Sequence, residues 1–167
     1  LMDEGYDTTL YQLTKDRTQR EKIFSDFLLR QRVDAVIAVN VELAEDEVQA
    51  LLAVDKPLVG VGGPLPGVPT LHVNDEAISA LATGHLVSLG HERIGFIGGN
   101  AETDVDFLVP THRRTGYERA LAEAGLEVDE SLIVSADFTL PQGYAVAKQL
   151  LGNPASRPTA IFAASDE

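Results

Sequence analysis

Residues Val33–Val39 read VDAVIAV, an almost unbroken apolar run rich in valine. A strand with this pattern offers no polar face to water, so it is covered on both sides. Sheets of that kind are built from parallel strands joined by helical crossovers. The rest of the chain follows the same rule. LVGVG (58–62), TLHV (70–73), RIGFIGG (93–99), SLIVSA (131–136) and PTAIFAAS (158–165) read as further strands, and DTTLYQL (7–13) as a weakly alternating one.

Helical patterns separate these runs. Thr18-Gln19-Arg20-Glu21 reads as a capping box before Ile23, Phe24, Phe27 and Leu28. A short helix over Glu45–Val54 turns Val48, Leu51 and Leu52 inward. Asn74 or Asp75 caps a helix whose inward stripe is Ile78, Leu81, Ala82, His85, Leu86 and Leu89, closed by Gly90. A further helix carries Tyr117, Ala120, Leu121 and Ala124, with Arg113 and Arg114 at its start and Gly125 at its end. Thr139-Leu140-Pro141-Gln142 reads as a second capping box, for a helix running to about Leu151.

Alternating strands and helices predict a mostly parallel sheet, and such sheets bind ligands beyond the carboxyl ends of their strands. Those ends are Asn40, Gly62-Gly63, Val73-Asn74, Gly98-Gly99-Asn100 and Ala164-Ser165-Asp166, all small, polar or glycine but for Val73. The net charge of −13 repels phosphate backbones and anionic membranes, so these residues are not the part of a molecule that grips DNA or RNA. No apolar run approaches the roughly 20 residues of a membrane span. With no cysteine there is no disulfide framework and no Cys-based metal site, and a cytoplasmic setting fits. At 167 residues the chain makes one domain or two small lobes. Leu1–Gly5 resembles the last turn of a helix, and the chain stops after a strand, so it is expected to be a piece of a longer protein.

Enzyme signatures are missing. There is no phosphate-binding G-x-x-x-x-G-K-[ST] loop and no G-x-S-x-G elbow. Gly60-Val61-Gly62-Gly63 hints at a dinucleotide loop, but Pro64 and Pro66 forbid the helix that must follow. His72, His85, His91 and His112 lack metal-ligand spacing. His85 reads as a core or interface residue, and His91 as a partner of the preceding helix's last carbonyls. No catalytic residue, metal or cofactor is expected. Arg113 and Arg114 oppose the dipole of the helix they open, so either a bound polar group or solvent is their partner. Asp104 and Asp106 lie in a long loop, where solvated carboxylates are the commoner case. Asp166 either caps a following helix or faces a ligand.

HLVSLGHERIGFIGG (85–99), RRTGYERALAEAGL (113–126), DFTLPQGYAVAKQLL (137–151) and RPTAIFAASDE (157–167) occur in that order after RQRVDAVIAV (30–39). Together they resemble the ligand-binding domain of the lactose/galactose-repressor family of bacterial transcription regulators. The resemblance implies a periplasmic-binding-protein-like α/β fold: two lobes, each a mostly parallel sheet flanked by helices, with a hinge between them. Residues 1–73 would be part of the amino-terminal lobe and 74–167 part of the carboxyl-terminal lobe. A helix-turn-helix headpiece would lie outside this chain. The implied partners are a small-molecule effector, operator DNA read through that headpiece, and a second copy of the chain.

By the same resemblance Arg113, three residues before a Gly-aromatic pair, matches the arginine that bonds the effector's polar groups. Ser165 stands where the family usually has Asn before the Asp matched by Asp166. Val73 matches a position that lines the cleft, and Asn40 ends a strand facing it. Arg113 with Asp104 and Asp106 favours a polyhydroxylated effector, a sugar or related polyol. The chain departs from the family at Asn74-Asp75, usually Asp-Asn, at Ile78, usually glycine, and in the long acidic loop Asn100–Thr111. Two alternatives are a transport protein of the same fold that binds a sugar in the periplasm, and an α/β enzyme acting on a sugar or nucleotide.

Overall fold

Every strand in the computed structural model pairs in parallel, in two separate three-stranded sheets. The structure describes residues 4–5, 7–14, 16–30, 33–40, 43–100, 108–152 and 154–166, the side chains of 26–30 excepted. By its internal contacts the chain divides into two units, Leu1–His72 and Val73–Glu167.

The first unit contains α1 (Arg17–Arg30), β1 (Val36–Val39), α2 (Glu45–Leu52), β2 (Leu58–Val61) and β3 (Thr70–Leu71). Its sheet runs β1-β2-β3, with Val36 beside Leu58 and Gly60 beside Thr70. A Cβ on Gly60 would lie 2.8 Å from Thr70 Oγ1, so only glycine admits the third strand this closely. Arg20 of α1 joins Glu47 of α2 through a two-pronged ion pair that is largely shielded, with Nε donating to Oε1 at 2.8 Å. Burial pushes the Glu47 carboxyl up, but the Arg20 guanidinium and the Ala44 N–H outweigh it and hold the group below its ordinary value.

Three expectations change in this unit. Residues 7–13 form no strand, because a parallel strand exists only beside a neighbour and no described strand pairs with them. An apolar gap of about 210 Å³ lies between them, α1 and β1, lined by residues such as Leu10, Leu13, Phe24 and Val36. The cap of α1 is Asp16 rather than Thr18: its Oδ1 accepts from the Gln19 N–H at 3.1 Å, a stronger acceptor placed two residues earlier. Leu52 is exposed while Val48 and Leu51 are buried, since the short α2 ends at that residue.

The second unit contains α3 (Asp75–Ser88), β4 (Ile94–Gly99), α4 (Val109–Glu123), β5 (Ile133–Ala136) after one 3-10 turn, α5 (Leu140–Leu151) and β6 (Ala160–Ala163). The order β5-β4-β6 puts the first strand in the centre, so the chain reverses direction across the sheet after β5. The pleat sends alternate residues of β4 to opposite faces. Ile94 and Phe96 pack with Tyr117 and Leu121 of α4, and the Tyr117 hydroxyl donates to the Ile94 carbonyl at 2.8 Å. Gly95 faces the other way, where a Cβ would meet Leu150 of α5 at 2.9 Å. Helices α3 and α4 end alike. Gly90 (φ 87°) and Gly125 (φ 70°) take the left-handed conformation, and the next N–H, of His91 or Leu126, reaches back to Leu86 or Leu121.

Helix α3 buries only part of the stripe expected of it: Ala82 and Leu86 are half-buried, Leu86 against the core of Ile94, Phe96 and Tyr117. Ile78, Leu81 and Leu89 are 53%, 76% and 62% exposed, and His85 is exposed too. The fully buried residues are Ser79 and Thr83. The cause is Gly116: a Cβ there would lie 2.2 Å from the Glu76 carbonyl oxygen, so α3 and α4 meet backbone to backbone and small residues fill the seam. Helix α4 starts at Val109 with Pro110 in its first turn, so Arg113 and Arg114 sit in the second turn rather than at the start. The Gln142 amide bonds Asp137 instead of returning to Thr139, and no capping box forms there. The His91 imidazole bonds Thr159 while its backbone N–H takes the helix carbonyl.

Candidate functional site

The carboxyl ends of β4, β5 and β6 converge where the strand order reverses, the place at which an open parallel sheet leaves a crevice. A hollow of about 590 Å³ opens there, lined by Gly98, Ala136, Phe138, Tyr144, Ser165 and Asp166 among others. Its size suits a small solute. The glycines at the end of β4 make room for two aromatic rings. A Cβ on Gly98 would lie 2.5 Å from the Phe96 ring, and one on Gly99 would lie 2.4 Å from Cζ of Phe138. Phe138 therefore lies over the end of the central strand and supplies an apolar wall. Asp137 beside it is held by Gln142, whose Nε2 donates to the carboxylate at 2.9 Å while its Oε1 accepts from the Asp137 N–H at 2.9 Å.

Arg113 approaches the same edge from α4. Its Nη1 donates to the Ala164 carbonyl at 2.5 Å, one residue before Ser165, and its Nε donates to Asp75 Oδ1 at 2.7 Å. Nη2 makes no hydrogen bond to a described residue, and 31% of the side chain is exposed. The Arg113 carbonyl accepts from the Ser79 hydroxyl, which fixes the backbone of α4 at this point. Arg114 points elsewhere, to Glu118 at 2.6 Å and Glu130 at 2.7 Å.

The structure thus brings Arg113, Ser165 and Asp166 to one edge of the second unit. Val73 is exposed two residues before Asp75. Asn40 belongs to the first unit, at the end of β1, in a left-handed conformation (φ 46°) with its amide oxygen against Gly62. Asp104 and Asp106 lie outside the described residues. Two contributors were not read from the sequence. Phe138 carries the signal of an aromatic directly after a strand and opposite a double glycine. Asp75 carries the signal of an acidic residue at the place where the family pattern has its amide. Among the described residues no group of His, Asp and Glu is arranged to hold a metal, and no helix is long and apolar enough to cross a membrane.

Comparison with known proteins places this architecture. The family model for periplasmic binding proteins and the sugar-binding domain of the LacI family matches residues 1–167, and the chain belongs to that family. It is 36% identical over 145 residues to the HTH-type transcriptional regulator CelR of Thermobifida fusca, covering 84% of this chain and 41% of that protein. It is 32% identical over 155 residues to the HTH-type transcriptional repressor CytR of Escherichia coli K12, covering 90% and 43%. These relatives are named as regulators of transcription, not as enzymes. Among solved structures, a transcriptional regulator CelR–cellobiose complex superposes with a TM-score of 0.70 at 31% identity, over 91% of this chain and 46% of that one. A LacI-family regulatory protein from Chloroflexus aggregans gives 0.74 at 26% identity, over 92% and 54%. The chain spans less than half the length of the curated relatives it matches.

Proposed function

We propose that this chain is the effector-binding part of a LacI-type transcription regulator. It takes a neutral, hydroxyl-rich solute, a sugar or related polyol, at the carboxyl edges of its strands. The observation that carries this reading is the edge of the second unit: an apolar wall from Phe138, hydroxyl and carboxylate groups from Ser165 and Asp166, and an anchored Arg113 beside them. A sugar ring has apolar C–H faces and a polar rim, and this set of groups answers both. The cellobiose complex of a relative supports the same class of solute.

In this reading residues 1–73 and 74–167 belong to two lobes, with Asn40 and Val73 contributing from their own strand ends. The solute favours one arrangement of the lobes. A cytoplasmic homodimer passes that preference to a DNA-binding headpiece outside these residues, typically with about 1–3 kcal/mol of reciprocal coupling. The net charge of −13 agrees with a division of labour in which phosphate attraction comes from the headpiece.

The test is thermal shift of the full-length protein against a panel of neutral sugars. A member of the panel is expected to raise the melting temperature, and Arg113→Ala to abolish that rise while the protein stays folded by circular dichroism. A panel without effect overturns the sugar reading. A rise that survives in Arg113→Ala removes Arg113 from the site.

A further inference from the structure

We infer that Asp75 is a specificity-determining residue: by occupying the Arg113 guanidinium it closes this edge to anions and leaves it open to neutral hydroxyl-bearing solutes. The inference rests on the proposed solute site and adds the charge class of its ligand.

Arginine captures phosphate and carboxylate through a fork, two parallel N–H groups presented to two oxygens. At Arg113 each of the two forks, Nε with Nη2 and Nη1 with Nη2, already has one nitrogen engaged. Nε is held by the Asp75 carboxylate and Nη1 by the Ala164 carbonyl. The Asp75 side chain is only 11% exposed, so its charge is poorly screened by water where it faces the edge. An incoming anion meets a guanidinium whose charge is matched by Asp75, at a sheet edge whose hollow is itself lined by the carboxylates Asp137 and Asp166. A hydroxyl needs one donor and one acceptor and carries no charge, so it binds Nη2 or a carboxylate without breaking the pair.

A second feature of the fold points the same way. The amino terminus of a helix attracts anions through its free N–H groups and its dipole. Asp75 opens α3, the Ala77 N–H is already taken by the Asn74 side chain at 2.9 Å, and Glu76 follows with Arg119 as its partner. One carboxylate thus lies against both anion-attracting features of this corner, the Arg113 fork and the start of α3.

The test compares the full-length protein with Asp75→Asn by calorimetric titration with inorganic phosphate and with glucose 6-phosphate, alongside the neutral sugar panel. Asp75→Asn keeps the shape and one hydrogen bond to Arg113 but frees its charge. The wild type is expected to show no saturable phosphate binding. Asp75→Asn is expected to gain phosphate binding at least about tenfold tighter than any the wild type shows, and the double variant Asp75→Asn/Arg113→Gln to lose it again. If Asp75→Asn does not fold, Asp75→Ser supplies the same readout. Saturable phosphate binding by the wild type at this site, abolished by Arg113→Gln, overturns the inference, as does a folded Asp75→Asn that gains none. The phosphate arms need no neutral effector. A failed sugar panel alongside a gain of phosphate binding would therefore overturn the sugar reading and leave the role of Asp75 standing.

Discussion

Gly116→Ala adds one methyl group to α4, at the point where that helix crosses α3. In an exposed helix the change would help, because alanine is about 1 kcal/mol better than glycine. Here the new Cβ would stand 2.2 Å from the Glu76 carbonyl oxygen, 2.8 Å from Ser79 Cβ and 3.0 Å from the Ala80 nitrogen. Two of the three are backbone atoms that no rotamer change removes. Ordinary contact needs about 3.5 Å, so α3 must retreat by about 1 Å. Overpacking of this kind costs roughly 1–3 kcal/mol. The retreat also strains the bond from the Ser79 hydroxyl to the Arg113 carbonyl, worth about 1 kcal/mol. After the gain in helix propensity, a net loss of about 2 kcal/mol remains. Urea unfolding read by circular dichroism and by tyrosine emission measures it, since the chain has four tyrosines and no tryptophan. A variant as stable as the wild type would refute the close-packed seam, and with it the account of why α3 buries Ser79 and Thr83 instead of Ile78 and Leu81.

Three further outcomes are expected. Thr83 Oγ1 is buried with no hydrogen-bond partner among the described residues, so Thr83→Val should raise stability by about 1 kcal/mol in the same urea assay; a loss would mean the hydroxyl is satisfied. Glu47 has its pKa lowered in the fold, so its contribution is full above the ordinary value of 4.5 and is lost as pH falls through the lower folded value; Glu47→Gln should flatten stability against pH in that acid range only. Phe138→Ala should weaken binding of the neutral solute about tenfold, near 1.4 kcal/mol, in a calorimetric titration. Unchanged affinity would remove the ring from the site.

The alternation of apolar runs and helices made the parallel pairing legible, and the family resemblance its division into two sheets, because covered strands and glycine-closed helices leave local marks. Gly90 and Gly125 close α3 and α4 as read, since a left-handed C-cap is decided within a few residues. Residues 7–13 were misread for the opposite reason: a strand is a property of two segments, and alternation in one of them says nothing about the neighbour. At the candidate site, the placing of Arg113 was legible because it stands three residues before Gly116-Tyr117, where α3 requires the glycine and the Ile94 carbonyl takes the tyrosine hydroxyl. Asp75 was not, because its partner is 38 residues away and only the fold joins them.

The misread face of α3 has a more general physical cause. Hydrophobic periodicity predicts which side of a helix prefers to leave water, on the assumption that burial is set by apolar area alone. Between α3 and α4 the deciding quantity is distance. Gly116 lets the helix backbones approach until only Ser79 and Thr83 fit between them, and Ser79 answers a backbone carbonyl there. Rotating α3 to bury Ile78 and Leu81 in that seam would force the helices apart and break the Ser79–Arg113 bond. The same close approach brings Asp75, at the start of α3, within reach of Arg113 on α4. A glycine chosen for packing therefore also sets the electrostatics of the proposed ligand edge. Gly116→Ala is accordingly expected to weaken the Asp75–Arg113 pair as well as the fold.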